Sequence, residues 1–255
     1  MADRGEMSFW DHLEELRGTI LRSLAAIAIV AVVVFCFKKL VFDGLILAPA
    51  RDDFFIYKWL HMEPKIDLVN LELSAQFFIH LKTSVVLGFI LAFPYVCWEI
   101  WKFIAPALYE NEKEAAKKAF LIAGVLFYFG LFVGYTLVLP ITLNFFQNYT
   151  VSSQVHNTIS LNSYISTFTS MVLAFGVVFE FPAVISLLCR LGVVDPSSLK
   201  KYRRHAVVVA MIIGAIITPA DPFSMIVAAL PLYLLYELSI LLCAGKKEVK
   251  GDLVR

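Results

Sequence analysis

Long apolar runs constrain the fold of this chain more than any other feature of its sequence. Residues 23–37, 74–97, 119–139 and 164–188 are almost uniformly apolar, and runs that approach or exceed about 18 residues can cross a bilayer as helices. A soluble core of this size would need long amphipathic helices around it, which the sequence lacks. With 60% hydrophobic residues and a mean hydropathy of +0.77, the chain is predicted to be an all-α integral membrane protein.

Two further apolar runs follow, and we expect both to be short. Residues 206–217 form a run of 12 residues, about 18 Å of helix, against a hydrocarbon core of about 30 Å. A tight turn at 218–222 returns the chain through 223–243, which contains Pro231. We therefore predict six transmembrane helices with short fifth and sixth spans, which either cross a thinned bilayer or form a re-entrant hairpin.

The distribution of basic residues predicts the orientation. Six spans place both termini, residues 98–118 and residues 190–205 on one side, and that side holds sixteen of the 22 Lys and Arg residues. The positive-inside rule then places both termini in the cytoplasm. Lys82 lies in the first turns of the second span, where its ammonium can reach the headgroups. The formal net charge of +1 favours no nucleic-acid partner.

Residues 1–255 are expected to form a single polytopic membrane domain without a cleavable signal. The first segment is amphipathic, because Phe9, Leu13, Leu16 and Ile20 share one helical face and acids and arginines occupy the other. The predicted segments outside the membrane are this amphipathic cytoplasmic segment (8–22), an outer cap loop (38–73), a cytoplasmic loop (98–118) and a cytoplasmic tail (245–255).

The predicted cytoplasmic loop begins with the stiff aromatic stretch WEIWKFIAPALYENE, residues 98–112. Three carboxylates at and just after its end, Glu110, Glu112 and Glu114, share the predicted cytoplasmic face with Glu14 and Glu15. Carboxylates pair best with guanidinium groups, in a forked geometry that lysine cannot reproduce. Two separated acidic sites could therefore bind a basic ligand.

A plainer alternative for the loop carboxylates remains open. Glu112 and Glu114 could instead pair with Lys113, Lys117 and Lys118 at a solvated helix start.

Glu180 lies within the fourth apolar run, in FGVVFEFPAV. A charged residue near a bilayer centre costs about 2.5–3.5 kcal/mol on insertion scales, so it normally faces protein or water and has a function. The alternative is a hydrogen-bonded structural carboxyl. Glu99 and Glu237 lie nearer to span ends and are assigned to the interface, and Asp221 is expected to cap the last helix.

The sequence contains no signature of catalysis. It has no GxSxG, HExxH or P-loop, and its five histidines are scattered. The four cysteines have no metal-site spacing and are interpreted as small apolar core residues. We therefore expect no enzyme activity, no cofactor and no metal.

Three segments together resemble the TatC family, the multi-span core of the twin-arginine protein translocase. They are HLEELR (12–17), FIAPALY (103–109) with Glu112, and AFG (174–176) with Phe179, Glu180 and Pro182. The six predicted spans and the turn Thr218-Pro219-x-Asp221 agree with the resemblance, which extends over about residues 9–244.

The resemblance implies a receptor for signal peptides with two consecutive arginines, carried by folded cargo proteins. Glu15 and Glu112 would bind the arginine pair, Phe103 and Tyr109 would support that site, and Leu16 and Arg17 belong to the same motif. Transport would be driven by the protonmotive force, across the inner membrane of a bacterial cell.

The resemblance also implies contacts with partners. Glu180 would lie on a concave face and contact single-span TatA- and TatB-type proteins, and the short fifth span with Ala215 and Ile216 would be a docking surface. Asp221 and Pro49 match family positions in the outer turn and the outer loop. The expected partners are therefore signal peptides, single-span proteins, further copies of the chain and the lipid bilayer.

The chain departs from the family pattern at a few positions. Gly18-Thr19 stands where a second basic residue is common, so that Arg22 is the next one, and Asn111 stands where a histidine often precedes the loop glutamate. Two other functions are considered: a secondary transporter of a small solute with Glu180 as its ion or proton site, and a purely structural membrane scaffold.

Overall fold

The computed structural model describes residues 9–61, 66–108, 110–152, 154, 157–219 and 221–251, without the side chains of residues 9, 107, 110–112, 115 and 244–251. Helices make up most of the described chain, and one pair of two-residue strands joins them. The α-helices are α1 Phe9–Cys36, α2 Phe55–Leu60, α3 Ala75–Ile104, α4 Glu110–Val133, α5 Leu139–Asn148, α6 Leu161–Val178, α7 Phe181–Arg190, α8 Pro196–Lys201, α9 Arg203–Ile217 and α10 Pro222–Gly251. The strands are β1 Leu68–Val69 and β2 Ile159–Ser160, which pair in parallel.

Five helical segments of the described chain are long and apolar enough to cross a membrane, which confirms a multi-pass membrane protein. They are Trp10–Cys36, Ala75–Ile104, Ala116–Asn148, Leu161–Arg190 and Pro222–Cys243. The short fifth helix is confirmed as well, since α9 has 15 residues, about 22 Å. The sixth was wrongly expected to be short: Pro222–Cys243 has 22 residues, about 33 Å, because α10 continues through Pro231.

α1 and α3 lie antiparallel and define the two ends of the bundle. Arg22 contacts Glu99 at one end, and the rings of Phe35 and His80 stack at 4.0 Å at the other. The helices pack closely between these points, because a Cβ added to Gly88 would lie 2.7 Å from the Cβ of Ala31. We call the end where α1 begins the near end and the opposite one the far end.

The connection between α3 and α4 is much shorter than the loop predicted for residues 98–118. α3 continues to Ile104, one 3₁₀ turn covers Ala105–Ala107, and α4 begins at Glu110. The aromatic residues before Pro106 contain no helix breaker, whereas proline disfavours helical continuation at its own position and the one before it.

Two prolines, Pro140 and Pro182, each lie in the first turn of a helix that directly follows another helical segment. The third apolar run ends at residue 139, but the helix continues through a π-helical segment, Gly134–Val138, into α5. Pro140 lies in the first turn of α5, where its missing N–H leaves no bond unmade. Pro182 is placed in the same way in the first turn of α7, so the fourth span breaks at Glu180 between α6 and α7.

Buried tyrosines hold the segment between α1 and α3 against the far end. The Tyr164 hydroxyl donates to the Ile46 carbonyl at 2.5 Å, and the Tyr57 hydroxyl donates to the Pro49 carbonyl at 2.6 Å. Burial raises the pKa of Tyr57 well above its usual range, so this donor keeps its proton. The short helices of this segment are therefore attached to the membrane bundle.

The interpretation of all four cysteines as simple core residues is wrong for two of them. Cys189 and Cys243 form a disulfide between α7 and α10, with their Cα atoms 5.8 Å apart. Cys36 and Cys97 are free.

Candidate functional site

The near end brings two of the sequence motifs together. The His12 ring, in the first turns of α1, stacks on the Phe103 ring in the last turn of α3, with centroids 4.5 Å apart and an interplanar angle of 23°. Glu15 and Leu16 are half-buried beside this contact, and Arg17 is exposed. The start of HLEELR and the start of FIAPALY therefore meet at this contact, although they are about ninety positions apart in the sequence.

An ion cluster around one buried carboxylate, Glu99, lies below this contact. Glu99 is 1% exposed, and its carboxylate accepts hydrogen bonds from Arg22 Nε at 2.8 Å and from Lys102 Nζ at 3.2 Å. Two cations on one buried carboxylate compensate its charge inside the chain. The cluster clamps α1 to α3 immediately before the connection to α4.

Sequence reasoning had placed Glu99 at the interface without a partner. The spacing of Glu99 and Lys102, three residues apart on one helix, could have indicated their pairing. No local signal could have indicated Arg22, which is 77 residues away in the chain.

The structure explains why glycine and threonine follow Arg17. A Cβ on Gly18 would lie 3.1 Å from Nη1 of Arg22, and Arg22 Nη2 donates to Thr19 Oγ1 at 3.3 Å. The guanidinium thus lies across Gly18 on its way to Glu99. Gly18 and Thr19 therefore both lie against the side chain that pairs with Glu99.

The other predicted receptor residues are only partly described. The backbone of Glu112 lies in the first turn of α4, but its side chain and all of Tyr109 lie outside the described residues. Glu114 is exposed and pairs with Lys118 at 2.8 Å, which lowers the pKa of its carboxyl. The alternative of a helix-start ion pair is therefore confirmed for Glu114 and stays untested for Glu112.

Glu180 lies at the break between α6 and α7 and lines a cavity of about 250 Å³ with Phe93, Cys97, Ala183 and Val184. Its Oε1 atom is buried and has no hydrogen-bond partner among the described residues. This oxygen does not fit the alternative of a satisfied structural carboxyl, since buried polar atoms are normally paired.

The remaining predicted residues lie at the far end. Ala215 and Ile216, in the last turn of α9, are exposed, and Ile216 is 78% accessible. Asp221 Oδ1 accepts a hydrogen bond from Ser224 N at 2.6 Å, which confirms the predicted cap of α10. Pro49 is buried in a 3₁₀ turn, where its carbonyl accepts the Tyr57 bond. These residues lie far from the Glu15 surface.

A second ion pair at the near end was also missed. Arg203 Nη2 donates to Glu237 Oε2 at 2.8 Å, and the Tyr233 hydroxyl donates to the other oxygen at 3.0 Å. The pair ties the start of α9 to α10. Glu237 had been assigned to the interface alone because its partner is 34 residues away in the sequence.

Known proteins resemble this chain over nearly its whole length. Residues 11–231 match the family model described as Sec-independent protein translocase protein (TatC). The protein of that name from Aquifex aeolicus is 35% identical over 249 residues, covering 96% of this chain and 99% of the relative. The one from Blattabacterium is 34% identical over 253 residues, covering 93% and 95%.

Solved structures agree with these sequence matches. The crystal structure of a twin-arginine translocase receptor, TatC, superimposes with a TM-score of 0.74 at 36% identity, covering 91% of this chain and 98% of the other. A second structure of such a receptor, in the detergent DDM, gives 0.76 at 35% identity with the same coverage.

Proposed function

Because this chain belongs to the TatC family of Sec-independent protein translocase proteins, we propose that it is the receptor and membrane core of a translocase for folded proteins with twin-arginine signal peptides. The protein acts as a binding and transport component rather than as an enzyme. The observation that supports the proposal is the stack of His12 on Phe103, which brings the motif of Glu15 against the end of α3. Five residues separate this end from the start of α4, which holds the proposed second carboxylate, Glu112.

The proposed orientation follows from the distribution of charge. The near end faces the cytoplasm of a bacterial cell and the chain lies in the inner membrane, since most lysines and arginines fall on that side. A signal peptide on an unexported protein is then within reach of the near-end surface. The protonmotive force drives transport, in keeping with a sequence without a P-loop.

The proposed recognition step is a pair of charge-assisted hydrogen bonds. Glu15 and Glu112 each accept two hydrogen bonds from one guanidinium of the arginine pair. This planar forked geometry favours arginine over lysine. Half-burial of Glu15 strengthens its pairing relative to a fully solvated carboxylate. Phe103, which α1 already contacts, and Tyr109 give the site its apolar support.

Glu180 is assigned a different task, contact with partners inside the membrane. An unpaired buried oxygen in an apolar cavity can accept a hydrogen bond from a single-span TatA- or TatB-type helix. Exposed Ala215 and Ile216, near the turn that Asp221 caps, form a separate docking surface at the end of α9. Copies of the chain associate through such apolar faces as well.

The receptor proposal is tested by binding of a signal peptide to the purified protein. Glu15→Ala and Glu112→Ala should each lower the affinity for a peptide with two arginines by about tenfold, the value of one hydrogen bond to a charged group. The affinity for a version with two lysines should change much less. Glu14→Ala is the matched control, because Glu14 is exposed and adjacent in sequence. Unchanged arginine-peptide binding in both variants would refute the receptor.

The unpaired Glu180 oxygen also supports a second candidate, a secondary transporter of a small solute. Vesicles that contain this protein alone distinguish the two. Solute uptake that Glu180→Gln abolishes would support the transporter. No solute uptake, together with arginine-selective peptide binding, would support the translocase.

A further inference from the structure

A second groove opens between α3, α6 and the end of α4 with the π-helical segment that follows it, in the far half of the bundle. Its volume is about 200 Å³, and its lining is mainly apolar, including Val86, Ile90, Phe132 and Leu173. It lies apart from the Glu180 cavity, whose lining shares none of its residues.

One hydroxyl in the groove lining lacks a hydrogen bond. Thr83 is 1% exposed, and its Oγ1 has no partner among the described residues. Thr169, across the groove, donates to the Ile165 carbonyl of its own helix at 2.8 Å, and the Tyr135 hydroxyl donates to Leu45 at 2.8 Å. A buried hydroxyl without a partner is costly, so Thr83 indicates that a hydrogen-bond acceptor enters the groove.

The ammonium group of Lys82 lies beside the far end of the same groove. Lys82, Val86 and Ile90 follow at intervals of four on one face of α3, and Ser166 is three residues before Thr169 on α6. Lys82 Nζ lies 3.5 Å from Ser166 Oγ. Within the described part of the chain no carboxylate lies within 4 Å of this ammonium.

The depth of Lys82 suits a lipid headgroup. It follows the start of α3 by seven residues, about 10 Å of helix, and a lysine stem can extend its ammonium from such a depth to the interface. The groove thus presents a cation, then a hydroxyl donor, then an apolar channel, in this order toward the membrane centre.

We propose that this groove binds one anionic phospholipid from the leaflet at the far end. The lipid phosphate lies against Lys82 and Ser166, an ester carbonyl accepts the Thr83 hydroxyl proton, and an acyl chain fills the channel along Val86, Ile90 and Leu173. Phosphate, ester and hydrocarbon follow one another in a phospholipid in the same order as their partners in the groove. This inference is independent of the receptor proposal.

Binding of phosphatidylglycerol to the full-length purified protein, measured by native mass spectrometry, tests the headgroup contact. Lys82→Gln should weaken binding by about tenfold, because it removes a charge-assisted bond, and Lys82→Arg should retain it. Lys58→Gln is the matched control, since Lys58 is another exposed lysine but lies in α2, in the segment between α1 and α3, and does not line the groove. Equal binding in Lys82→Gln and native protein, or equal native affinity for phosphatidylcholine, would overturn the proposal.

The ester contact has its own chemical test. Replacing ester-linked phosphatidylglycerol by its ether-linked analogue should weaken binding to the native protein by about fivefold, the value of one neutral hydrogen bond. The same replacement should have no effect on Thr83→Val, which removes the hydroxyl and keeps the shape. An ester preference that persists in Thr83→Val would contradict the assigned contact.

A third variant leaves the polar groups unchanged. Leu173→Trp fills the channel and should lower binding of ester-linked and ether-linked phosphatidylglycerol by the same factor. That result would support an acyl chain in the groove. Unchanged binding in this variant would mean that the lipid lies elsewhere and would overturn the proposal. The Glu112→Ala variant should bind phosphatidylglycerol like the native protein, so failure of the receptor proposal and failure of this one are separable.

Discussion

Two glutamates within the apolar helices, Glu99 and Glu180, differ in how their charge is compensated. Glu99 has Arg22 and Lys102 within 3.2 Å, whereas Oε1 of Glu180 has no hydrogen-bond partner among the described residues. Glu99 is 1% exposed and Glu180 is partly buried. The larger difference is in their hydrogen bonds: the chain itself satisfies Glu99, whereas one Glu180 oxygen is left for the proposed partner contact.

α3 separates the two environments. Glu99 faces α1, while Cys97, two residues earlier and about 200° around the helix, lines the cavity that contains Glu180. One face of α3 is therefore bound to the chain's own N-terminal helix by an internal ion cluster. The other face borders a cavity with an unsatisfied acceptor, where the proposed partner helix would bind without breaking a hydrogen bond between Oε1 and the described residues.

The largest effect is expected from replacing the Glu180 carboxyl group. Glu180→Gln should lower transport of a folded cargo in membrane vesicles by at least about tenfold, because an amide in place of the carboxyl weakens the hydrogen bond proposed for a partner helix. Affinity for the twin-arginine peptide should stay within about twofold, since the near-end surface does not include Glu180.

Glu99→Gln is the informative counterpart of that substitution. This substitution replaces a carboxylate that already accepts hydrogen bonds from Arg22 and Lys102. It should therefore lower the free energy of unfolding and have less effect on transport. If Glu180→Gln lowered peptide affinity as much as Glu112→Ala does, the two glutamates would not have separate tasks and the comparison would fail.

The next effect is on stability. Arg22→Ala should lower the free energy of unfolding by about 1–3 kcal/mol, because it leaves the buried Glu99 carboxylate with one cation instead of two. Breaking a fully buried ion pair costs about 3–5 kcal/mol. The expected loss is smaller here because the Arg22 side chain is 52% exposed. Thermal unfolding in detergent measures the change. Arg22→Lys should recover part of it.

Arg203→Ala is the matched control for Arg22→Ala. Its pair with Glu237 has the same length of 2.8 Å and lies at the same end, but the Glu237 side chain is 28% exposed. Solvent screens that pair, so its loss should cost no more than about 1 kcal/mol. Equal destabilisation by the two substitutions would show that burial of Glu99 has no energetic consequence.

The contrast between these pairs also explains what sequence could and could not predict. Apolar runs predicted the long spans because length and hydropathy are local properties of the chain. The extent of the third span was missed because Pro140 is tolerated only through the π-helical segment before it. The Arg22–Glu99 pair was missed because it depends on the register between α1 and α3, which no local pattern encodes.

The candidate site was predictable to a different degree. The parity of the crossings and the family resemblance placed Glu15 and Phe103 on one face, and the His12–Phe103 contact agrees with their proximity. The unpaired state of Glu180 Oε1 and of Thr83 Oγ1 follows only from the positions of every neighbouring donor and acceptor. Sequence reasoning could nominate Glu180 as unusual but had no means to single out Thr83.

The smallest effect concerns Gly18, which gives the Arg22 guanidinium its path to Glu99. Replacing a helical glycine by alanine generally stabilises a helix by up to about 1 kcal/mol. Here the new Cβ would lie 3.1 Å from Arg22 Nη1, so Gly18→Ala should gain less than that in the native protein. It should gain the full amount in the Arg22→Ala background, where no guanidinium is displaced. Thermal unfolding of the two single variants and the double variant gives the coupling, and identical gains in both backgrounds would mean that Gly18 and the ion cluster are independent.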